Sequence, residues 1–118
     1  FGIEIAAVGL TEELAKREGI DAVSVRVRGG DKEPYYPDRM TTVVKVTAER
    51  STGRIIGAQV VGRFANWRSN IFAIAIERGL SLDDVVDIET CYAPPVAPVW
   101  DPIAVASMTL SSKLKRVR

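Results

Sequence analysis

The stretch TVVKVTAERSTGRIIGAQVV, residues 42–61, decides the fold class. From Thr42 to Glu49 apolar side chains alternate with polar ones, and the alternation resumes from Arg54 to Val61. A period of two is typical of a strand with one buried face. Because only a short polar segment containing Gly53 separates the two runs, we expect them to pair as an antiparallel hairpin.

The residues before the hairpin predict a helix, a strand and a loop. Thr11 is a suitable N-cap for a helix to Glu18, because acidic residues follow it and Gly19 can end the helix. Valines alternate with polar residues from Ala22 to Arg28, which indicates another strand. The segment from Gly29 to Arg39 contains two glycines and two prolines and is predicted to be a loop.

The residues after the hairpin predict three helices. Asn66 can cap a helix that runs to about Arg78, and its apolar residues form two stripes, so it must be covered on more than one side. Residues 81–84 have the spacing of a capping box for a short helix to about Val86. Asp101 followed by proline predicts the start of a last helix, to about Leu114.

This order of elements predicts an α+β fold. Helices follow a run of strands instead of alternating with them, which favours a mainly antiparallel sheet covered by helices. With 118 residues, 47% of them hydrophobic, the chain is expected to form one domain over residues 1–118.

Composition excludes several classes of function. A formal net charge of +1 gives no large field of one sign, so nucleic acid is not an expected partner. The longest apolar stretch, Ile71 to Ile76, is far shorter than the roughly 20 residues of a membrane-spanning helix. A single cysteine fits a soluble protein of the reducing cytoplasm.

The absence of histidine restricts the chemistry further. It removes Ser-His-Asp and Cys-His catalysis and histidine-bound zinc, and no metal site is expected. The sequence also lacks a GxGxxG motif, so we expect no dinucleotide cofactor to be bound within the chain.

Five motifs together resemble a known family. They occur in the family's order at residues 9–12 (GLTE), 35–37 (YYP), 51–59 (STGRIIGAQ), 79–81 (GLS) and 92–102 (YAPPVAPVWDP). The chain resembles the C-terminal dimerisation domain of FAD-dependent pyridine nucleotide-disulfide oxidoreductases, in particular the group of CoA-disulfide reductases and NADH oxidases.

The resemblance implies a homodimer whose FAD and NAD(P)H domains precede this chain in the same polypeptide. It also implies that Tyr92, with Tyr35 or Tyr36, lies near the redox cysteine of the partner subunit. The sequence does not decide between Tyr35 and Tyr36. These two side chains would point in opposite directions if the backbone there is extended. The resemblance leaves the electron acceptor open: it can be CoA disulfide or another CoA-type substrate, polysulfide, peroxide or dioxygen. It also leaves open whether the electron donor is NADH or NADPH.

Other candidates are assigned to the interface or to the protein's own structure. The interface residues expected from apolar character are Pro94, Pro95, Val96, Val99 and Trp100 in the proline-rich segment, and Phe72 and Ile76 on the long helix. Cys91 is expected to be a small buried side chain. Arg68 is expected to be a solvated arginine, with a ligand or interface contact as the alternative. Lys113, Lys115, Arg116 and Arg118 are expected to complement the end of the last helix.

A different class of function is compatible with the same residues. The chain could be a free-standing interaction module with no catalytic parent, binding a CoA-like ligand between its loops. The abrupt start at Phe1 and the wide apolar helix favour a fragment of an enzyme.

Overall fold

The computed structural model describes residues 2–116, so the expectation made for Arg118 lies outside the described residues. The elements in chain order are β1 (Glu4–Gly9), α1 (Glu12–Arg17), β2 (Ala22–Gly30), β3 (Thr41–Glu49), β4 (Ile55–Gly62), α2 (Ala65–Glu77), α3 (Leu82–Val86) and α4 (Pro102–Arg116).

The four strands form one antiparallel sheet in the order β1-β4-β3-β2. The predicted hairpin is confirmed as β3 and β4, with a register shift between Thr47 and Ala48. The apolar side chains of one face pack against α2 and α4, so the predicted α+β class with an antiparallel sheet covered by helices is confirmed.

Strand β1 is missing from the elements that the sequence predicts. Its core-facing residues are only Ala6 and Val8, whereas Ile5 points away from the core and is 82% exposed. The hydrophobic alternation therefore gives a weak signal. Pairing with β4, from Glu4 opposite Gly62 to Gly9 opposite Gly57, is what makes this segment a strand.

The predicted boundary between β2 and the following loop is wrong. Strand β2 continues through Gly29 and Gly30, which the sequence places in the loop, and Gly30 pairs with Thr41. A side chain at Gly30 would collide with the guanidinium of Arg39, so glycine allows this arginine to cross the strand.

The caps of three helices follow the predictions. Thr11 accepts a hydrogen bond from the N–H of Leu14 at 3.1 Å, and Ser81 and Asp84 form the reciprocal capping box of α3. At α4 the Asp101 carboxylate accepts from the N–H of Ile103 at 3.1 Å. None of these helices, nor α2, is long and apolar enough within residues 2–116 to cross a bilayer.

Helix α2 begins differently from the prediction. Phe64 is the N-cap, in the left-handed conformation with φ 61°, and makes no side-chain cap. Asn66 lies inside the helix, where its N–H donates to Glu4 Oε1 of β1 at 2.9 Å. The cap is thus supplied by a residue 62 positions earlier, which local sequence cannot reveal.

The core lies between the sheet and the two long helices. Its fully buried side chains include Val44, Val46, Val60, Phe72, Ile103 and Leu110. The expectation that Phe72 faces a partner is wrong, because its side chain has 0% exposure and packs inside the subunit. Ile76 is half-buried against the same core.

The basic residues near the C-terminus lie where the sequence predicted. Lys113, Lys115 and Arg116 occupy the last turn of α4, where positive charge complements the helix dipole. Lys115 also forms an ion pair with Asp83 of α3 at 3.2 Å.

Candidate functional site

Two loops at one end of the sheet carry the candidate tyrosines. The tyrosine loop, residues 31–40, joins β2 to β3, and the proline loop, residues 87–101, joins α3 to α4. The loops are linked directly, because Glu33 Oε1 accepts a hydrogen bond from the N–H of Val99 at 2.9 Å.

The tyrosine loop is closed at its base and folded into turns. The N–H of Asp31 donates to the carbonyl of Met40 at 2.9 Å, and the N–H of Met40 donates to Asp31 Oδ1 at 2.8 Å. The N–H of Tyr36 donates to the carbonyl of Glu33 at 3.2 Å. The backbone is not extended, so the condition for opposite-facing tyrosines is not met: the rings of Tyr35 and Tyr36 lie 5.0 Å apart.

The two adjacent tyrosines have different surroundings. Tyr36 is half-buried, with the ammonium of Lys32 5.7 Å from its ring centre. Tyr35 is 69% exposed and Tyr92 is 48% exposed. The pKa of Tyr35 is raised, first by partial desolvation and then by a hydrogen-bonding interaction with the Tyr92 side chain. Tyr35, on one loop, and Tyr92, on the other, are thus both exposed, and Tyr92 lies near enough to Tyr35 to contribute to its raised pKa.

The proline loop contains a tight turn. The N–H groups of Val96 and Ala97 both donate to the carbonyl of Ala93, at 2.9 and 2.8 Å. Ala97 is buried and anchors the turn. Of the expected interface residues in this loop, Pro95, Val96, Val99 and Trp100 are exposed and Pro94 is half-buried.

Arg68 is not a solvated arginine, contrary to expectation. Its guanidinium has 0% exposure and forms a two-pronged ion pair with Asp101: Nε lies 3.0 Å from Oδ1 and Nη2 lies 3.0 Å from Oδ2. Nη1 donates to the carbonyl of Arg63 at 3.1 Å. One feature of the sequence indicates this burial: Arg68 lies on the same face of the helix as the buried residues Phe72 and Ala75.

A second set of charges lies on the outer side of the tyrosine loop. Asp38 Oδ2 is 2.8 Å from Lys32 Nζ and 3.5 Å from Arg63 Nη1. The hydrogen bond from Lys32 is the main reason why the pKa of Asp38 is lowered, against a smaller opposing effect of desolvation. Arg63 also pairs with the buried carboxylate of Asp31 at 3.3 Å.

An apolar groove separates α2 from the proline loop. It has a volume of about 580 Å³, and its lining includes Phe64, Trp67 and Ile71 of the helix and Val96 of the loop. Cys91 also lines it and is exposed, so the expectation of a buried cysteine is wrong.

The helix starts of the described chain carry acidic residues. In residues 2–116 a carboxylate accepts a hydrogen bond from an N–H group at the start of α2 (Glu4), of α3 (Asp84) and of α4 (Asp101), and Glu12 and Glu13 lie in the first turn of α1. A pyrophosphate binds most readily where helix N–H groups are free and no carboxylate lies near. These carboxylates therefore disfavour an anion at the helix starts of the described residues.

Comparison with known sequences gives a consistent set of matches. Residues 1–102 match the family described as "Pyridine nucleotide-disulphide oxidoreductase, dimerisation domain". The chain is 36% identical over 108 residues to an NAD(P)H sulfur oxidoreductase (CoA-dependent) of Pyrococcus furiosus, a match that covers 92% of this chain and 24% of that protein. It is 29% identical over 96 residues to a coenzyme A disulfide reductase of Staphylococcus epidermidis, covering 80% of this chain and 22% of that protein.

Solved structures give the same match in three dimensions. The NAD-dependent persulfide reductase from A. fulgidus superposes with a TM-score of 0.92 and 30% identity, over 99% of this chain and 22% of that one. The reduced CoADR-RHD of Bacillus anthracis gives a TM-score of 0.91 and 31% identity, over 98% of this chain and 21% of that one. The chain spans about a quarter of the length of the Pyrococcus furiosus and Staphylococcus epidermidis relatives.

Proposed function

Because the chain belongs to the pyridine nucleotide-disulphide oxidoreductase dimerisation domain family, we propose that it joins two subunits of an FAD- and NAD(P)H-dependent oxidoreductase and lends Tyr92 and Tyr35 to the partner subunit's active site. The chain is then one domain of a longer cytoplasmic polypeptide. FAD and NAD(P)H are held by other domains of that polypeptide, in keeping with the carboxylate at each helix start of residues 2–116.

The observation that supports the tyrosine role is the exposure of Tyr35 and Tyr92 on two loops that are joined to each other. Both side chains keep a large accessible surface, and each belongs to a different loop. A partner subunit can therefore reach both side chains.

A phenol suits chemistry at a thiol. It can donate a hydrogen bond or a proton to a developing thiolate, yet it stays neutral at pH 7 because its ordinary pKa is about 10. The raised pKa of Tyr35 keeps that group protonated over a still wider range. The pair supplies the proton-donating function in a chain that contains no histidine.

The acceptor is proposed to be a sulfur compound linked to coenzyme A, such as CoA disulfide or a persulfide. Support comes from the names of relatives at 36% and 34% identity, an NAD(P)H sulfur oxidoreductase (CoA-dependent) and an NAD(P)H coenzyme A polysulfide/persulfide reductase. Relatives described as NADH oxidases match at 32%, 30% and 22% identity. Peroxide and dioxygen are therefore the second candidates.

The test uses the full-length parent enzyme. Tyr92→Phe combined with Tyr35→Phe should lower disulfide turnover by on the order of 10²-fold, because it removes both proton donors. Flavin absorbance and dimer mass should stay unchanged. Tyr36→Phe is the matched control, since that ring packs against Lys32, and it should retain normal turnover.

Two results would count against the proposal. Normal turnover of the double phenylalanine variant would remove the catalytic role while leaving the dimerisation role intact. Flavin absorbance or NADH oxidation by the isolated 118-residue chain would overturn the assignment of the cofactors to other domains.

A further inference from the structure

The buried Arg68 contacts three separate segments of the chain. It pairs with Asp101 at the end of the proline loop, with Nε and Nη2 both 3.0 Å from carboxylate oxygens. Nη2 also lies 3.5 Å from the carbonyl of Asp31, the first residue of the tyrosine loop, and Nη1 donates to the carbonyl of Arg63. One side chain of α2 thus contacts an end of each loop.

We infer that Arg68 is a positioning residue that fixes the tyrosine loop and the proline loop relative to each other, and thereby sets how the tyrosines that these loops carry lie relative to each other. The inference deepens the proposed function, on which its relevance to the enzyme rests. Arg68 itself lies inside the subunit and is not expected to touch substrate.

Stability alone does not account for an ion pair in this place. Desolvation of two charges offsets most of their attraction, so an apolar pair of similar volume is often at least as stable. The pair does provide direction: a guanidinium has five N–H donors in a rigid plane, and Arg68 uses three nitrogens for three segments. A lysine, with a single nitrogen, cannot hold that geometry.

The rest of the loop junction agrees with this role. The Asp101 carboxylate accepts hydrogen bonds from Arg68 and from the N–H of Ile103 at the start of α4, so the end of the proline loop is fixed to a helix start. Asp31 closes the base of the tyrosine loop through Met40. Glu33 and Val99 add a second link between the loops, further from their bases. The tyrosines lie beyond these fixed points.

The experiment measures the influence of Tyr92 on the ionisation of Tyr35, which depends on how the two loops lie relative to each other. The ring carbons of the three tyrosines are labelled with ¹³C, and the titration of Tyr35 is followed by NMR in this chain. The readout is the change in its midpoint that Tyr92→Phe causes. That change should be a fall in the midpoint, since Tyr92 contributes to the raised pKa.

The same measurement is repeated with the ion pair altered. Arg68→Lys keeps the charge, Asp101→Asn keeps the cap, and Arg68→Met with Asp101→Asn removes both charges together. The effect of Tyr92→Phe should shrink in the single variants and vanish in the double variant. Arg54→Lys, which pairs with Glu49 at the other end of the sheet, is the matched control and should leave the effect unchanged.

Each outcome decides the inference. An undiminished effect of Tyr92→Phe in any folded variant of the pair would overturn it, and so would the absence of any effect of Tyr92→Phe while the ion pair is intact. Unfolding of all three variants would also overturn it, in favour of a purely structural role. The measurement requires no turnover, so a lost influence of Tyr92 on Tyr35 combined with normal turnover in the phenylalanine variants of the parent would refute the proposed function alone.

Discussion

At the scale of single residues, Arg68 and Asp101 have the largest predicted effect on stability. Removal of one charge leaves the other buried without its opposite charge, because both side chains have almost no exposure to water. Arg68→Met should therefore lower the free energy of unfolding by about 3–5 kcal/mol. Urea denaturation followed by circular dichroism measures the loss.

A surface arginine provides the control for that prediction. Arg17 also forms an ion pair, with Glu13 at 3.0 Å, but both side chains are mostly exposed. Arg17→Met should change the stability by no more than about 0.5 kcal/mol. If Arg68→Met were as mild as Arg17→Met, the burial of the Arg68–Asp101 pair would carry no energetic consequence.

The lowered pKa of Asp38 predicts that the stability of the chain depends on pH in the acid range. Its pKa is lowered in the folded chain, mainly by the hydrogen bond from Lys32, so its contribution is fully present above the ordinary value of about 3.9. The contribution is lost as the pH falls through the lowered pKa. Asp38→Asn should thus flatten the acid side of the stability curve, measured by thermal unfolding between neutral and acidic pH.

An equal acid dependence in Asp38→Asn and in the unaltered chain would contradict the prediction.

At this scale the sequence identified the candidate tyrosines but not the ion pair that links their loops. The three tyrosines could be singled out because the family resemblance covers the motifs that contain them. The proposed choice of Tyr35 over Tyr36 required the turns of residues 31–40, which leave Tyr35 more exposed and place Lys32 over the ring of Tyr36. The Arg68–Asp101 pair joins residues 33 positions apart, and no local pattern reports such a distance.

At the scale of elements, the junction of β1 and β4 predicts a sensitive glycine. A Cβ at Gly57 would lie 1.7 Å from the backbone oxygen of Leu10, and backbone cannot rotate away as a side chain can. Gly57→Ala should destabilise the chain by about 3 kcal/mol, at the upper end of the usual cost of overpacking. Chemical denaturation measures the change.

Gly53 distinguishes crowding from backbone conformation. It has φ 73°, and a methyl group added there would meet only open space, so Gly53→Ala should cost only the roughly 1–2 kcal/mol of a left-handed alanine. If Gly57→Ala proved milder than Gly53→Ala, β1 would not be held as closely against β4 as described.

The elements that could be predicted are those formed by interactions between residues close in sequence. Strands β2, β3 and β4 and the caps of α1, α3 and α4 depend on alternation or on residues within four positions, and the sequence located them. Strand β1 depends on pairing with β4, in which Gly62 lies opposite Glu4. The start of α2 depends on Glu4, which caps it from 62 positions earlier in the sequence. These two were missed.

At the scale of the whole molecule, the exposed side of the proline loop predicts where subunits meet. Val96 is 47% exposed at the rim of the apolar groove. In the parent enzyme, Val96→Asp should shift the mass measured by analytical ultracentrifugation from dimer towards monomer, because a carboxylate would lose its water in a closed interface.

The matched control lies at the opposite end of the strands. Thr52, exposed in the turn between β3 and β4, should accept aspartate with no change in mass. A stable dimer of the Val96→Asp enzyme would exclude this side of the proline loop from the centre of the interface.

The bonds from Arg68 to Asp101 and from Val99 to Glu33 form within one chain, and this has a consequence for assembly. Flexible segments that become ordered only when proteins associate reduce the affinity by the entropy they lose. Here these bonds order the two loops without a contribution from a second subunit. Newly formed and long-established dimers should therefore be equally competent, and activity after dilution and reassembly should return in step with the recovery of the dimer itself.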